Sequence, residues 1–446
     1  MGSSKRKPSL AIPESRGWRG IVTRVSRARR GRLSLEPGGA IVASMPEPEA
    51  AKPVPEPSPN DPVAAAPEPE SGDPEAARAA ATVTIEAIRR AAEVIRGVAV
   101  RTPLLPFGPR EEGDPLGRTR VWLKPESLQP IGAFKLRGAY YNIATLPADR
   151  RGAGVVSHSS GNHAQGVARA ARLLGVRAVI VMPSDAPTIK VERVREDGAE
   201  IVWVGPASEE RAQKAAELAR TEGLSMVAPY DDAATIVGQG TVGLEIVQQI
   251  GDVERVVAAR PAGPMHDPRS AGPTGPARGQ RATGLPEPFT VLVPVGGGGI
   301  ASGVAVAVKT LRPDAVVIGV EPELAADGRD SLAQGRIVTW PAEKVGSTIA
   351  DGQRTAHIGR IPFAIFRRHL DAIVAVSEDE IARAMVRAQR EARLVLEPSG
   401  ATTLAAWLFH ADLVPPAGRV VCILSGGNVD PARYEELLAR GVAAGG

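Results

Sequence analysis

Between residues 152 and 223 the chain alternates short apolar runs with longer amphipathic ones, and this rhythm limits the folds open to it. "GAGVVSHSS", "RAVIVMP" and "EIVWVG" have the length and β-branched content of buried strands. "NHAQGVARAARLLG", "APTIKVERVREDGA" and "SEERAQKAAELARTEG" follow them in turn and have helical spacing. The rhythm resumes with "TVLVPVGGGG", "ASGVAVAVKTL", "AVVIGVEPE" and "RVVCILSGGN". Strands separated by helices pair in parallel, so the expectation is an α/β fold built on doubly wound parallel sheets. There are too many strands for one small sheet. Two α/β domains with a cleft between them are expected, with ligands at the carboxyl ends of the strands.

A chain of 446 residues that is 43% apolar has the material for two or three cores. Aromatic residues make up only 3%, so those cores must be built from Ala, Val, Leu and Ile. No apolar run approaches the roughly 18 residues that cross a bilayer, which argues against a membrane partner. The single cysteine, Cys422, lies in "RVVCILSGG" and reads as a small buried strand residue. It excludes an intrachain disulfide and suits a reducing compartment such as the cytoplasm. The net charge of +4 is misleading. Residues 1–40 hold ten Lys/Arg against two Asp/Glu, and the other 406 residues carry a net charge of −4. The basic residues therefore belong to a leader whose single aromatic residue, Trp18, gives no series of rings to stack on bases, and a nucleic-acid partner is not expected.

Residues 1–45 are Arg- and Ser-rich with no long apolar stretch, which is not a secretory signal. The composition is that of an organellar transit peptide, or of a start placed upstream of a first residue at Met45. Residues 46–75 are rich in Pro, Glu and Ala and cannot bury enough apolar surface to order themselves. Disorder is predicted over 1–78 and the folded body over 79–440, with a smaller lobe at roughly 125–235. Ile85, Ile88, Ala92 and Ile95 give the first helical stripe. Residues 260–288, rich in Pro, Gly and Arg, read as a surface insertion that is either a tolerated insert or an interaction loop.

Four stretches carry candidate chemistry. In "PVGGGGIASG" an apolar strand runs into Gly296, Gly297, Gly298 and Gly299 and then into a helix. Glycines let backbone N–H groups converge on an anion, and the helix adds its positive end. No GxGxxG or GK[ST] pattern is present there, so this is a phosphate cup of neither the dinucleotide nor the Walker type. In "SHSSGNHAQG", Ser159, Ser160, Gly161, Asn162 and His163 span a strand end and a helix start, which suits a carboxylate as well as it suits an ordinary N-cap. In "CILSGGNVD", Ser425 ends a strand and could hydrogen-bond a ring nitrogen. In "PESLQPIGAFKLRGAYYNI", Lys135 sits among Ile131, Ala133, Phe134 and Leu136. Desolvation lowers the pKa of such an amine, and a neutral amine forms a Schiff base with an aldehyde. A phosphate cup, a desolvated lysine and a hydroxyl for a ring nitrogen together describe a pocket for pyridoxal phosphate.

The order "ESLQPIGAFKLRGA", "SSGNHAQGVA", "VGGGGIASG", "LSGGNVD" resembles the fold type II pyridoxal-phosphate enzymes, and within them the threonine/serine dehydratase (ammonia-lyase) and serine racemase group. The resemblance runs over about 84–440, interrupted by the insertion. It implies that Lys135 is the Schiff-base lysine with Phe134 beside the ring, and that Gly296, Gly297, Gly298 and Gly299 hold the phosphate. It places Asn162 at the ring 3-hydroxyl, Ser425 at the pyridine nitrogen and Glu397 near the ring. Ser159, Ser160, Gly161 and His163 fall in the loop that receives the substrate carboxylate, and Ser160 matches the second-face base of the racemases. "GVEPELAADG" resembles a segment that binds Mg²⁺ or Ca²⁺ through Glu321, the carbonyl of Ala325 and Asp327. Ile131-Gly132-Ala133 replaces the commoner Ser/Thr-containing text before the lysine, a variant also met among dehydratases. The sequence ends soon after "LSGGNVDPARYEELLARG", so a C-terminal regulatory domain is not expected.

The expected activity is β-elimination of water from L-threonine or L-serine, giving a 2-oxo acid and ammonia. The alternatives are a serine racemase or 3-hydroxyaspartate dehydratase of the same fold, a β-replacement enzyme, or a protein that binds the cofactor and an amino acid without turnover. The expected partners are an amino-acid substrate and further copies of the chain, as a dimer or tetramer by family analogy.

Overall fold

The computed structural model describes residues 73–108, 120–159, 161–184, 186, 188–205, 208–258, 288–413 and 418–446. The leader as far as residue 72, most of the 260–288 insertion and Ser160 lie outside them. The predicted disorder to residue 78 is corrected at its end, because Pro74–Thr82 is a helix. Asp73 caps it, accepting from the N–H groups of Glu75 and Ala76, and Pro74 stands at its first position. The low-complexity composition masked this start signal: an acidic cap followed by proline supplies the acceptor and the fixed φ that a helix start needs. Ala80 of this helix then packs with Ile85, Ile88 and Ile365.

Among the described residues, ten strands form two sheets. β1 (Leu105–Phe107), β2 (Val121–Pro125), β7 (Phe289–Pro294), β8 (Val316–Pro322), β9 (Ala372–Val376) and β10 (Arg419–Leu424) form a six-stranded sheet in the order β1-β2-β10-β7-β8-β9. Only β1 runs antiparallel to its neighbour. β3 (Val155–His158), β4 (Ala178–Pro183), β5 (Glu200–Val204) and β6 (Ser225–Met226) form a parallel four-stranded sheet in the order β5-β4-β3-β6. The expectation of an α/β fold with two parallel-dominated sheets therefore holds.

Both faces of both sheets are covered, which is why the strands read as unbroken apolar runs. Successive side chains of a strand point to opposite faces. Accordingly Val420, Cys422 and Leu424 join one core cluster, and Val421 and Ile423 join the other. In the smaller sheet Val155, Ile180 and Met182 pack on one side, and Val156, Val179 and Val181 on the other.

The helix Ala233–Ala258 links the elements that matter for function. It packs against the helix Lys135–Thr145 and against the helix Gly299–Leu311. The contact is close because glycine faces glycine: a Cβ on Gly238 would stand 2.6 Å from the Cα of Gly138. The three helices thus set Lys135 and the glycine cup in one frame.

Candidate active site

Parallel strands bring their carboxyl ends to one edge, and the four stretches singled out above meet there. β3 delivers Ser159 and Gly161, β7 delivers the glycines, and β10 delivers Ser425. Lys135 is tied to Ser425 by a short antiparallel zipper between segments far apart in sequence. Phe134 N–H donates to the Ser425 carbonyl at 3.1 Å, Gly427 N–H donates to the Gly132 carbonyl at 2.9 Å, and Ala133 bridges to Gly426. Gly132 allows this with φ +72, and the Asn428 side chain fills the place its Cβ would take.

Lys135 opens its helix and is half-buried. Its Nζ donates to the Pro229 carbonyl at 2.8 Å and lies 5.1 Å from the centre of the Phe134 ring. No carboxylate offsets the loss of water, so burial lowers the amine pKa to about 8. The desolvated lysine read from the sequence is therefore present as a group that loses its proton near neutrality.

The glycine cup is tightly enclosed. A Cβ on Gly296 would stand 3.1 Å from the Cα of Gln353, and one on Gly299 would stand 3.0 Å from the Cα of Tyr230. On Gly297 it would run into the Tyr230 ring, and Gly298 has φ +96. The backbone there is bare of side chains and closely walled, and the helix Gly299–Leu311 begins at that point. This fits a phosphate group.

Asn162 begins the helix Asn162–Leu174. Its Nδ2 donates to Glu397 Oε1 at 2.6 Å, and its Oδ1 accepts from Asn428 Nδ2 at 2.8 Å. Glu397 is buried, and its pKa is raised to about 8 by burial first and then by the nearby charge of Asp351. Ser425 is buried, and its hydroxyl donates to the Ser399 carbonyl at 3.2 Å. Ser159 Oγ accepts from Gly161 N–H at 3.2 Å, which shapes the turn before the helix. The first N–H groups of any helix lack intrahelical acceptors, so this turn can receive a carboxylate.

His163 belongs to that turn by its backbone, and its side chain has a structural partner. Its ring is buried beneath the helix start, and Nε2 lies 3.0 Å from the Val227 carbonyl. Burial first, then the charge of Lys135, lowers its pKa to about 3. The ring is therefore a neutral donor to Val227 and offers no charge to a carboxylate.

The segment resembling a cation site has a distinct geometry. Glu321, at the end of β8, is buried and accepts from Gly328 N–H at 3.0 Å and Arg329 N–H at 2.9 Å. Asp327 is 1% exposed, and neither carboxylate oxygen has a hydrogen-bond partner of normal geometry. Burial raises both acids, Asp327 to about 7, and the charge of Asp327 raises Glu321 further. Ala325, in the short turn between them, is also buried. Among the described residues, no group of three or more His, Cys, Asp or Glu side chains is placed to hold a metal.

Several site residues carried no sequence signal. Tyr230 walls the glycine cup, and Gln353 Nε2 braces it by donating to the Val295 and Val320 carbonyls at 2.7 and 3.0 Å. Lys190 pairs with Asp351, and Arg193 donates to Asn428. "APYDD" and "ADGQRT" are polar loop text, and only the tertiary fold makes these residues neighbours.

A lysine of lowered pKa beside an anion cup, with a hydroxyl and an amide fixed nearby, defines an enzyme of the pyridoxal-phosphate type. The chain belongs to the pyridoxal-phosphate dependent enzyme family, fold type II, whose model matches residues 95–266 and 279–426. It is 36% identical to an L-threonine ammonia-lyase of Thermotoga maritima over 82% of this chain and 80% of that one. It is also 36% identical to an L-threo-3-hydroxyaspartate ammonia-lyase of Saccharomyces cerevisiae, over 76% of this chain and 91% of that one. Among solved structures, maize serine racemase superposes with a TM-score of 0.66 at 32% identity, covering 81% of this chain and 98% of that one. Among the described residues, no helix is long and apolar enough to cross a membrane.

Proposed function

We propose that the chain is a threonine/serine ammonia-lyase, which removes the Cα hydrogen and the β-hydroxyl of its substrate as water. Hydrolysis of the released enamine then gives a 2-oxo acid and ammonia, with no net change in water. The observation that carries this reading is the half-buried Lys135 amine, lowered to about 8 and held by the Pro229 carbonyl. Gly296 to Gly299 and the helix after them would hold the phosphate of pyridoxal phosphate, Phe134 would lie beside its ring, and Ser425 would face the ring nitrogen. When bound, that cofactor supplies an electron-accepting ring conjugated to the substrate Cα. Lys135 Nζ, neutral for a useful fraction of the time near pH 8, takes the Cα proton. The turn of Ser159 to Gly161, with the N–H groups of Asn162 and His163, fixes the substrate carboxylate. The Glu397–Asn162–Asn428 chain holds Asn162 in register with the site.

The test is 2-oxo acid release from L-threonine, L-serine and L-threo-3-hydroxyaspartate by cofactor-loaded protein, beside Lys135→Ala. Product from the parent and none from the variant is expected, and product from an active Lys135→Ala protein would overturn the assignment. The third substrate tests the reading raised by the Saccharomyces relative. Loss of optical purity in recovered serine without oxo acid would move the activity to racemisation. We further infer that Glu321, Asp327 and the Ala325 carbonyl would hold a divalent cation of the Mg²⁺ or Ca²⁺ type. Two buried acids with raised pKa values and two unpartnered oxygens on Asp327 suit a hard cation. Stabilisation by Mg²⁺ or Ca²⁺ that persists in Asp327→Asn would refute it.

A further inference from the structure

Away from the glycine cup, a cavity of about 800 Å³ opens between the helix Ile85–Val94, the turn after it and the helix Ala233–Ala258. Four arginines line it: Arg89, Arg90, Arg96 and Arg101. Glu93 pairs with Arg96, and Arg101 makes only a long 3.4 Å contact to the neutral Gln248. Among the described residues, neither Arg89 nor Arg90 is in an ion pair. The other acid in the wall, Glu245, is already held by Lys124 and Arg137. Among the described residues the lining thus sets four arginines against two glutamates, both of them already paired, and carries a surplus of positive charge.

Guanidinium groups recognise phosphate and carboxylate oxygens in pairs, and several on one wall select a ligand with more than one anionic group. The volume is that of a small-molecule site. The inner wall leads toward the active lysine. Glu245, 13% exposed at its side chain, accepts from Lys124 Nζ at 2.6 Å and from Arg137 Nη1 at 2.7 Å. Arg137 stands two residues after Lys135 in the same helix and is fully buried. An anion seated on the arginine wall brings negative charge beside Glu245, the carboxylate that holds these two cations.

We propose that this cavity binds a small organic polyanion, recognised by its phosphate or carboxylate oxygens, and that its occupancy is felt at Lys135 through Glu245 and Arg137. The test uses holoenzyme, so that the glycine cup is already filled, with inorganic pyrophosphate and citrate as probes. Calorimetry is expected to show saturable binding of one probe or both, weakened at least tenfold in the double variant Arg89→Ala, Arg90→Ala. Pyrophosphate alone would assign the site to phosphates, citrate alone to carboxylates, and both to polyanions in general. The visible absorbance of the bound cofactor should shift over the same concentration range and lose that shift in the double variant. Absence of saturable binding, or equal binding by the double variant, overturns the site. Binding without a change in absorbance overturns the link to Lys135.

Discussion

Glu126→Gln should be among the most destabilising conservative changes in this chain. Glu126 is fully buried and accepts four hydrogen bonds, from Thr102 Oγ1 at 2.7 Å, Gln129 Nε2 at 3.0 Å and Arg137 Nε and Nη2 at 2.7 and 2.9 Å. Burial alone would raise its pKa, but the charge and hydrogen bonds of Arg137 lower it overall, so it is an anion in the folded chain. With Lys124 and Arg137 it forms a buried set of two cations and two anions, completed by Glu245. A glutamine keeps the volume, turns an NH₂ toward donors and leaves one positive charge uncompensated. Removing one partner of a buried pair costs about 3–5 kcal/mol, roughly two to four orders of magnitude in the folded-to-unfolded ratio. Urea midpoints of the parent and variant holoenzymes measure it. Glu200→Gln is the control: it breaks the Arg177 pair, whose side chains are 43% and 56% exposed, and should cost less than about 1 kcal/mol. Adding Arg137→Met to Glu126→Gln leaves Lys124 and Glu245 balanced and should recover part of the loss. A single variant as stable as the control, or a pair no better than the single, would refute the argument from uncompensated charge.

Three further outcomes follow from the site. With Lys135 at about 8, the neutral fraction of its amine rises roughly tenfold from pH 7 to pH 9 and then levels. The rate at which stripped protein captures pyridoxal phosphate should follow this curve, and a rate still climbing tenfold per unit above pH 9 would mean an unperturbed lysine. His163 has a folded pKa of about 3, below the unfolded value near 6.5, so the unfolded chain gains its proton first on acidification. Its share of stability is intact above pH 6.5 and falls by up to about 1.4 kcal/mol per unit toward pH 3; His163→Gln should lose less stability between pH 6.5 and 5 than the parent does, and equal losses by urea titration would contradict this. Gly297→Ala drives a methyl into the Tyr230 ring and should weaken cofactor binding roughly 10- to 100-fold, whereas Gly152→Ala, with nothing within 4 Å, should leave it unchanged by equilibrium titration.

The sequence made the strands legible where burial on both faces left continuous Val, Ile and Leu, as in Ala178–Pro183 and Arg419–Leu424. It was silent on Ser225–Met226, a strand of two residues with no room for a pattern. The long helix Ala233–Ala258 was also hidden. Gly238, Gly240 and Gly243 lower its local propensity, and they are present because neighbouring helices approach the backbone there. Lys135, Asn162 and Ser425 could be found because each stands at a strand end or helix start within a recognisable motif. His163 shares that text, but its ring turns inward, and which way a first-turn side chain points is decided by packing. Tyr230, Gln353 and Lys190 act through tertiary proximity alone.

The position of β10 has a consequence for synthesis. The last strand among the described residues sits in the middle of the larger sheet, between β2 and β7, and carries Ser425 at its end. Until it emerges, β2 and β7 present open parallel edges of the kind other chains can pair with. At about 5–20 residues per second, the ribosome needs roughly 15–60 s to travel from β2 to β10. Through that interval the growing chain has Lys135 but no zipper to hold it. Those two edges are therefore the part of the larger sheet most open to pairing with other chains until β10 joins them.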